Sequence, residues 1–402
     1  MVTKEFICVC DRRIVDCATC SSRDHYHQGN EISNNDVNVC DKDPKDSKNT
    51  EGPKDQKDCP KSPEGPKDSK KESPPRLPNT QHRILNNKPI DVTLHCVTMI
   101  SNPILFKRRY ELALEFIKNF EKYPGVALYV VEVLYEGQTP AVTDKKNPRH
   151  LQVFTKTEPL WHKENALNIG IQKLLPKDWR AVAWIDADIS FENPCWALDT
   201  LKLLNDKDPK GSVVPTVCQL FSHALDLNKD KDPMTIFQSF GHEHYHGKAH
   251  GRQGLLFHHP GFAWACNRQA YDKMNSCGHV GLYDYSILGS GDQNMAMSLI
   301  KKCQGSHNNS ISENYKKSIA DYQKSIEDVK LCYTPGVIKH YFHGSKVNRK
   351  YVDRWKILVK YQYDPYLHVT KDSNGLLVPT KDCPKGLLDD IYKYFAERNE
   401  DE

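Results

Sequence analysis

The chain has no long hydrophobic run. No stretch of its 402 residues approaches the roughly 18 consecutive apolar residues that span a bilayer, so no membrane-crossing helix is expected. Its first residues, Met1 to Glu5, lead into a cysteine-rich stretch with no apolar core, so a secretory leader is not expected either and the expected location is cytoplasmic. A dense, regular cysteine framework is also missing. Fourteen cysteines scattered over a chain this long suit a reducing compartment better than a disulfide scaffold. Nor is there a stripe of one charge. The 56 basic and 52 acidic residues are interspersed and the formal net charge is +4, which argues against a groove that tracks nucleic-acid phosphates.

What is present divides into three. Residues 1–40 carry Cys8, Cys10, Cys17 and Cys20, followed by His25, His27 and Cys40; paired thiolates this close are candidate ligands for a structural Zn²⁺, the alternative being a tail of reduced cysteines. Residues 41–80 are almost all Lys, Asp, Glu, Pro, Ser and Gly, with the unit Glu51–Lys57 repeated at Glu64–Lys70. A segment with so few apolar residues cannot offset its own ordering entropy, and a linker is expected there. Residues 88–395 are expected to form one α/β domain. Asp91–Ile100, Val126–Leu134, His150–Phe154 and Ala181–Ile185 read as strands. The apolar positions 112, 113, 116, 117 and 120 recur at the helical period, and Lys163–Leu175 and Cys195–Leu204 read as further helices. Strands alternating with helices predict a mostly parallel, Rossmann-like sheet with helices on both faces. The second half is less regular. Gly241–His250, with four histidines, reads as a loop; residues 306–330 read as a polar, amphipathic helical insertion; Val337–Gly344 reads as a strand into a turn.

The buried strand Ala-Val-Ala-Trp-Ile at 181–185 ends in Asp186-Ala-Asp188. Open α/β sheets bind ligands at the carboxyl ends of their strands, and two carboxylates one position apart there suit Mg²⁺ or Mn²⁺ shared with substrate phosphates. Asp residues in a plain turn are the competing reading. Downstream, Gly289-Ser-Gly-Asp292 reads as a glycine-rich turn entering a helix, with Asp292 at its start, where it can serve as an N-cap.

In order along the chain, Thr98–Pro103, Trp161–Asn168, Trp184–Asp188, Gly261–Trp264, Gly289–Asp292 and His340–His343 together resemble the nucleotide-sugar glycosyltransferases of the GT-A fold, with a galactosyltransferase-like layout in the later half. The chain departs from that pattern in having Gly-Ser-Gly-Asp-Gln-Asn where an acidic run is usual, so the donor sugar does not carry over. The resemblance implies a hexose-type transferase using a UDP-sugar with Mn²⁺ or Mg²⁺ and a glycan or glycoprotein acceptor. It implies that Asp188, with His340 or His343, ligates the metal and that Asp186 contacts it or the ribose. Ser101, Asn102, Lys163, Asn168, Lys346 and Arg349 would hold the donor, with Arg354 near the diphosphate. Asp292 would be the general base of an inverting transfer, and His259, Phe262 and Trp264 would wall the acceptor, core packing being the alternative for Phe262. A sugar-phosphate nucleotidyltransferase and a non-catalytic carbohydrate- or nucleotide-binding module are the rival expectations. The former should carry a glycine-rich basic loop after its first strand, and Ser101-Asn-Pro103 lacks one.

Overall fold

The computed structural model describes residues 92–248, 258–275 and 280–402, all within the second of the two units into which the chain divides, Pro74–Glu402. The expected zinc ligands Cys8, Cys10, Cys17 and Cys20 and the expected linker lie outside the described residues. No helix among the described residues is long and apolar enough to cross a membrane.

A seven-stranded sheet is the frame. In chain order its strands are β1 (Leu94–Ser101), β2 (Val126–Leu134), β3 (His150–Phe154), β4 (Ala181–Ile185), β6 (Thr216–Gln219), β9 (Ala263–Asn267) and β10 (Lys330–Tyr333). Across the sheet they run β10-β6-β9-β4-β1-β2-β3, parallel except for β9, which lies antiparallel to both β4 and β6. Side chains of the central strands alternate between two cores, as the pleat demands. Leu94, Cys96, Ala181, Ala183, Ile185, Ala263 and Ala265 face one cluster, packed with Phe116 and Phe120 of α1 (Lys107–Phe120) and with Trp196, Ala197, Leu201 and Leu204 of α3 (Trp196–Leu204). Val97, Val182, Trp184, Trp264 and Cys266 face the other, against α2 (Lys163–Leu174), α5 (Arg268–Met274), α6 (Gly291–Leu299), α7 (Glu313–Ser325) and α9 (Lys385–Glu397). A sheet covered on both faces explains why its central strands read as continuous apolar runs.

Helix α2 lies close to the sheet because Gly170 lacks a side chain: a Cβ there would stand 2.7 Å from Val131 and 2.8 Å from Val97. Gly170→Ala therefore trades a helix-propensity gain of ~1 kcal/mol against an overpacking cost of ~1–3 kcal/mol. Both contacts are with stiff, fully buried valines of β1 and β2, so overpacking wins. A lower denaturant midpoint for Gly170→Ala is expected, and an unchanged or higher midpoint would mean that the layers relax.

A smaller sheet stands beyond the carboxyl end of β4: β5 (Ile189–Phe191), β7 (His223–Leu227), β8 (Pro233–Gln238) and β11 (Val337–His340), in the order β5-β11-β7-β8. The remaining elements are α4 (Phe240–Tyr245), α8 (Asp353–Lys360) and the hairpin β12 (Val369–Lys371) with β13 (Leu377–Pro379). The expected histidine-rich loop is thus helical at its start. Ser239 caps α4 by accepting from the His242 amide, and Phe240 and Glu243 are buried. The expected insertion 306–330 contracts to α7, which buries Tyr315, Ser318, Ile319 and Tyr322 along one stripe. The domain also continues past the expected boundary at 395, since Arg398 and Glu400 are buried.

Candidate functional site

The carboxyl ends of β1 and β4 and one edge of the small sheet open onto a cavity of about 900 Å³. Two strand registers assemble its centre. Asp186 leaves β4 with its amide donating to the Phe262 carbonyl at 2.8 Å, so β9 fixes where the first carboxylate emerges. Two residues on, the Asp188 carbonyl accepts from the Tyr341 amide at 2.9 Å, and His340 of β11 pairs with Ile189 of β5. On its other side His340 is in parallel register with Asp226 of β7. Registered side chains of parallel neighbours share a face, and His340 Nδ1 lies 2.7 Å from Asp226 Oδ1.

Asp188, His340 and His343 therefore converge, with ligand atoms all within 4.8 Å of one another. His343 Nε2 is 2.9 Å from Asp188 Oδ2, 3.3 Å from His340 Nε2 and 2.9 Å from an Arg349 Nη2 that donates toward it. This arrangement cannot be satisfied by hydrogen bonds alone. If Nε2 carries a proton it faces the N–H of Arg349, and if it carries a lone pair it faces the carboxylate of Asp188. Asp188 Oδ1 is moreover buried with no hydrogen-bond partner. A divalent cation among the three residues would use both lone pairs and the carboxylate, and two imidazole nitrogens ~3 Å apart suit adjacent ligands at ~2.1 Å from one ion. The residues present thus fit a metal ion. Each histidine also has a carboxylate behind it, Asp226 for His340 and, at 3.6 Å from Nδ1, Glu400 for His343, an arrangement that fixes ring orientation in metal sites.

The charges are arranged to suit. Burial alone would raise the Asp188 carboxyl, but the hydrogen bond from His343 and the charges of His343, His340 and Arg349 hold it below its usual range. Burial lowers His340 despite Asp226, which leaves its imidazole neutral and available as a ligand. Burial pushes Asp186 up to about 7; Lys163 pulls it back, while Asp188 and Asp292 push it further up. Burial also acts to raise Glu400 and Asp226, yet Arg109 and Arg398 hold Glu400 well below its ordinary value and His340 with Lys346 holds Asp226 at about 2.

The second half of the cavity is built around Lys163, at the first turn of α2. Its Nζ lies 2.7 Å from Asp186 and 2.9 Å from Asp292, tying the carboxyl end of β4 to α6. Asp292 is in the first turn of α6, while the N-cap position is Ser290, left-handed at φ 78° and making no side-chain cap. Beneath them sits Glu164, 6% exposed. Gly291 must be glycine here, because a Cβ would stand 2.3 Å from the Glu164 carboxyl. Burial, then the charge of Asp292, pushes Glu164 up to about 8, with Lys163 pulling back. A buried acid with a raised pKa favours the folded state only while protonated. Stability should therefore fall as the pH rises from the unfolded value near 4.5 to about 8. Thermal unfolding across that window should show this fall in the parent and a flatter profile in Glu164→Gln; parallel profiles would contradict it.

Of the residues expected at the site, Ser101, Asn102, Lys163, Asp186, Asp188, His259, Phe262, Asp292, His340, His343, Lys346 and Arg349 line the cavity. Asn168 and Trp264 do not. Both ends of the Asn168 amide are spent on the backbone of Leu282, at 2.8 Å each, so it clamps a loop and does not face a donor. Trp264 is fully buried in register with Trp184, its indole N–H donating to the Pro260 carbonyl. Phe262 has its ring flanked by His259 at 3.9 Å and by His340 at 4.7 Å, so it braces His340 more than it walls an acceptor. The expectation missed Asp226, Glu400, Glu164, Arg109 and Arg398. Asp226 had a signal, a lone carboxylate inside the apolar run His-Ala-Leu-Asp-Leu. Glu400, in the polar run Glu397-Arg-Asn-Glu-Asp-Glu402, had none.

No family model matches the chain, and no curated protein matches it significantly. Among solved structures it superposes on mouse xyloside xylosyltransferase 1 in the apo form (12% identity, 62% of this chain and 97% of that one, TM-score 0.27). It also superposes on 4-diphosphocytidyl-2C-methyl-D-erythritol synthase from Anaerococcus prevotii (10% identity, 61% and 89%, TM-score 0.26). A third similar structure is a mutant of Drosophila β-1,4-galactosyltransferase 7 in complex with manganese, UDP-Gal and xylobiose (11% identity, TM-score 0.27); the match takes in 52% of this chain and only 62% of that one. Similarity this slight assigns no activity, and the functional assignment rests on the cavity's own residues.

Proposed function

We propose that this chain is a metal-dependent glycosyltransferase that moves a hexose-type sugar from a nucleotide-diphosphate donor, expected to be a UDP-sugar, to an acceptor hydroxyl. The observation that carries the proposal is the meeting, in one cavity, of a carboxylate–imidazole metal triad flanked by Lys346 and Arg349 with the Lys163–Asp292 pair. Asp188, His340 and His343 would hold the ion, and a donor set with two imidazoles favours Mn²⁺ over Mg²⁺, which prefers oxygen. When bound, such an ion supplies Lewis acidity to a diphosphate leaving group. Lys163 orients Asp186 and Asp292 toward each other across the space where donor and acceptor would meet. Asp292 is the candidate for taking the acceptor proton as the hydroxyl attacks, with inversion at the anomeric carbon. The same triad in a cavity without basic side chains would suit Fe(II) chemistry; Arg349, which pairs with no carboxylate among the described residues, is the cation that points to a diphosphate.

The nucleotidyltransferase alternative loses ground at the turn after β1. Asn102 spends both ends of its amide on Phe106, at 2.8 and 3.0 Å, and the nearby Arg109 is committed to Glu400, so neither is available to cradle a triphosphate. The test is release of nucleoside diphosphate from a panel of nucleotide sugars, with acceptors, in the presence and absence of Mn²⁺. Mn²⁺-dependent release from one donor supports the proposal. Metal-dependent binding without turnover favours the binding module, and release of pyrophosphate from a nucleoside triphosphate and a sugar phosphate favours the nucleotidyltransferase.

A further inference from the structure

The segment after β11 places two cations on the metal triad itself. Arg349 Nη2 donates toward His343 Nε2, the atom a metal would need, at 2.9 Å. Lys346 is paired with Asp226, the carboxylate that orients His340. The guanidinium of Arg349 has no carboxylate within ion-pair distance among the described residues. Its Nη1 reaches only the Tyr351 hydroxyl, at 3.3 Å, and its Nε is buried with no partner. The backbone here is tied down: Tyr394 donates to the Arg349 carbonyl at 3.1 Å and Lys350 pairs with Glu397 at 2.7 Å. Movement of Arg349 is thus movement of a side chain and requires no opening of the segment.

One lone pair accepts either an N–H or a metal. We propose that Arg349 occupies the His343 ligand position until a divalent ion arrives together with a diphosphate, which then receives the displaced guanidinium. The inference rests on the diphosphate reading above. An ion arriving alone takes the acceptor from a half-buried guanidinium whose Nε already has none, whereas an ion arriving with a diphosphate provides two oxygen acceptors in the geometry Arg favours. Arg349 thereby couples the two ligands, and by linkage each strengthens the other. An arginine that only binds diphosphate would leave the affinity for the ion alone unchanged. One that only supports the fold would weaken that affinity when removed.

The test is Mn²⁺ titration of the full chain, followed by the electron paramagnetic resonance signal of free Mn²⁺, with and without UDP. The parent is compared with Arg349→Met, which keeps length without donors, and with Arg349→Lys, which keeps charge without the fork; thermal melts show which variants are folded. For Arg349→Met, the expected result is about tenfold tighter binding of Mn²⁺ alone and an UDP enhancement reduced by a similar factor, with Arg349→Lys intermediate. Unchanged or weaker binding of Mn²⁺ alone in a folded Arg349→Met overturns the inference, as does an UDP enhancement equal to the parent's. If the parent binds no Mn²⁺ with or without UDP, the metal reading has failed. If it binds Mn²⁺ with no response to UDP, the diphosphate reading has failed.

Discussion

Asp188→Asn should lower Mn²⁺-dependent donor turnover by about 10³-fold or more while leaving the chain folded. Asp188 contributes the only carboxylate of the triad, and one of its oxygens is buried without a hydrogen-bond partner, a cost that a cation would offset. An amide of the same shape keeps the packing against β5 and β11 but offers the ion a neutral oxygen. Losing about 4 kcal/mol of leaving-group stabilisation corresponds to three decades in rate. The measurement is kcat/KM with saturating Mn²⁺, beside a thermal melt in metal-free buffer. Turnover within tenfold of the parent would mean that the three residues form a structural ion-pair cluster. Lost turnover together with a collapsed melting temperature would say nothing about the metal, which is why the melt is part of the measurement.

Asp292→Asn should reduce kcat by about 10²–10⁴-fold, the usual contribution of a positioned base, and leave Mn²⁺ and UDP binding within about threefold of the parent. That split separates it from Asp188→Asn. Asp292 faces the cavity from the first turn of α6, outside the metal triad, and meets the rest of the site through Lys163. The amide can still accept from Lys163 but cannot take a proton from an acceptor hydroxyl. A single-turnover assay with donor and acceptor, beside equilibrium binding of UDP, would report the two effects separately. Equal losses in binding and turnover would make Asp292 an anchor for Lys163 instead of a base.

The frame of the molecule was readable from periodicity. The strands at 126–134 and 150–154 were expected with the bounds they have, and the helix at Lys163 was expected one residue longer than α2, because apolar runs between turn residues leave little choice. The reversal of β9 was not readable. Ala-Trp-Ala-Cys-Asn is buried on both faces, and such a strand has the same pattern whichever way it runs. Asp186, Asp188 and Asp292 stood out because carboxylates at the ends of buried elements need a reason. His340 and His343 stood out together, but their partners did not. Asp226 lies 114 residues from His340 and meets it only through the pairing of β7 with β11. Glu400 reaches His343 only because the chain after α9 folds back beside Arg109. Asn168 and Trp264 show the converse error. Both sit in segments that carry the resemblance, yet a helix places Asn168 against a loop backbone, and a strand turns Trp264 away from the cavity when it turns Ala263 and Ala265 toward the other core.

On the proposed reading, Asp188, His340 and His343 bind one divalent ion together with a nucleoside diphosphate. Pulsed electron paramagnetic resonance on Mn²⁺ bound to the full chain in the presence of UDP tests it most directly, since it detects ¹⁴N of coordinated imidazole and ³¹P of coordinated phosphate on the same ion. The account predicts both couplings in the parent, with the nitrogen coupling reduced in His340→Ala and in His343→Ala. A bound Mn²⁺ that shows phosphorus but no nitrogen coupling, unchanged in both variants, would place the ion elsewhere and contradict the account.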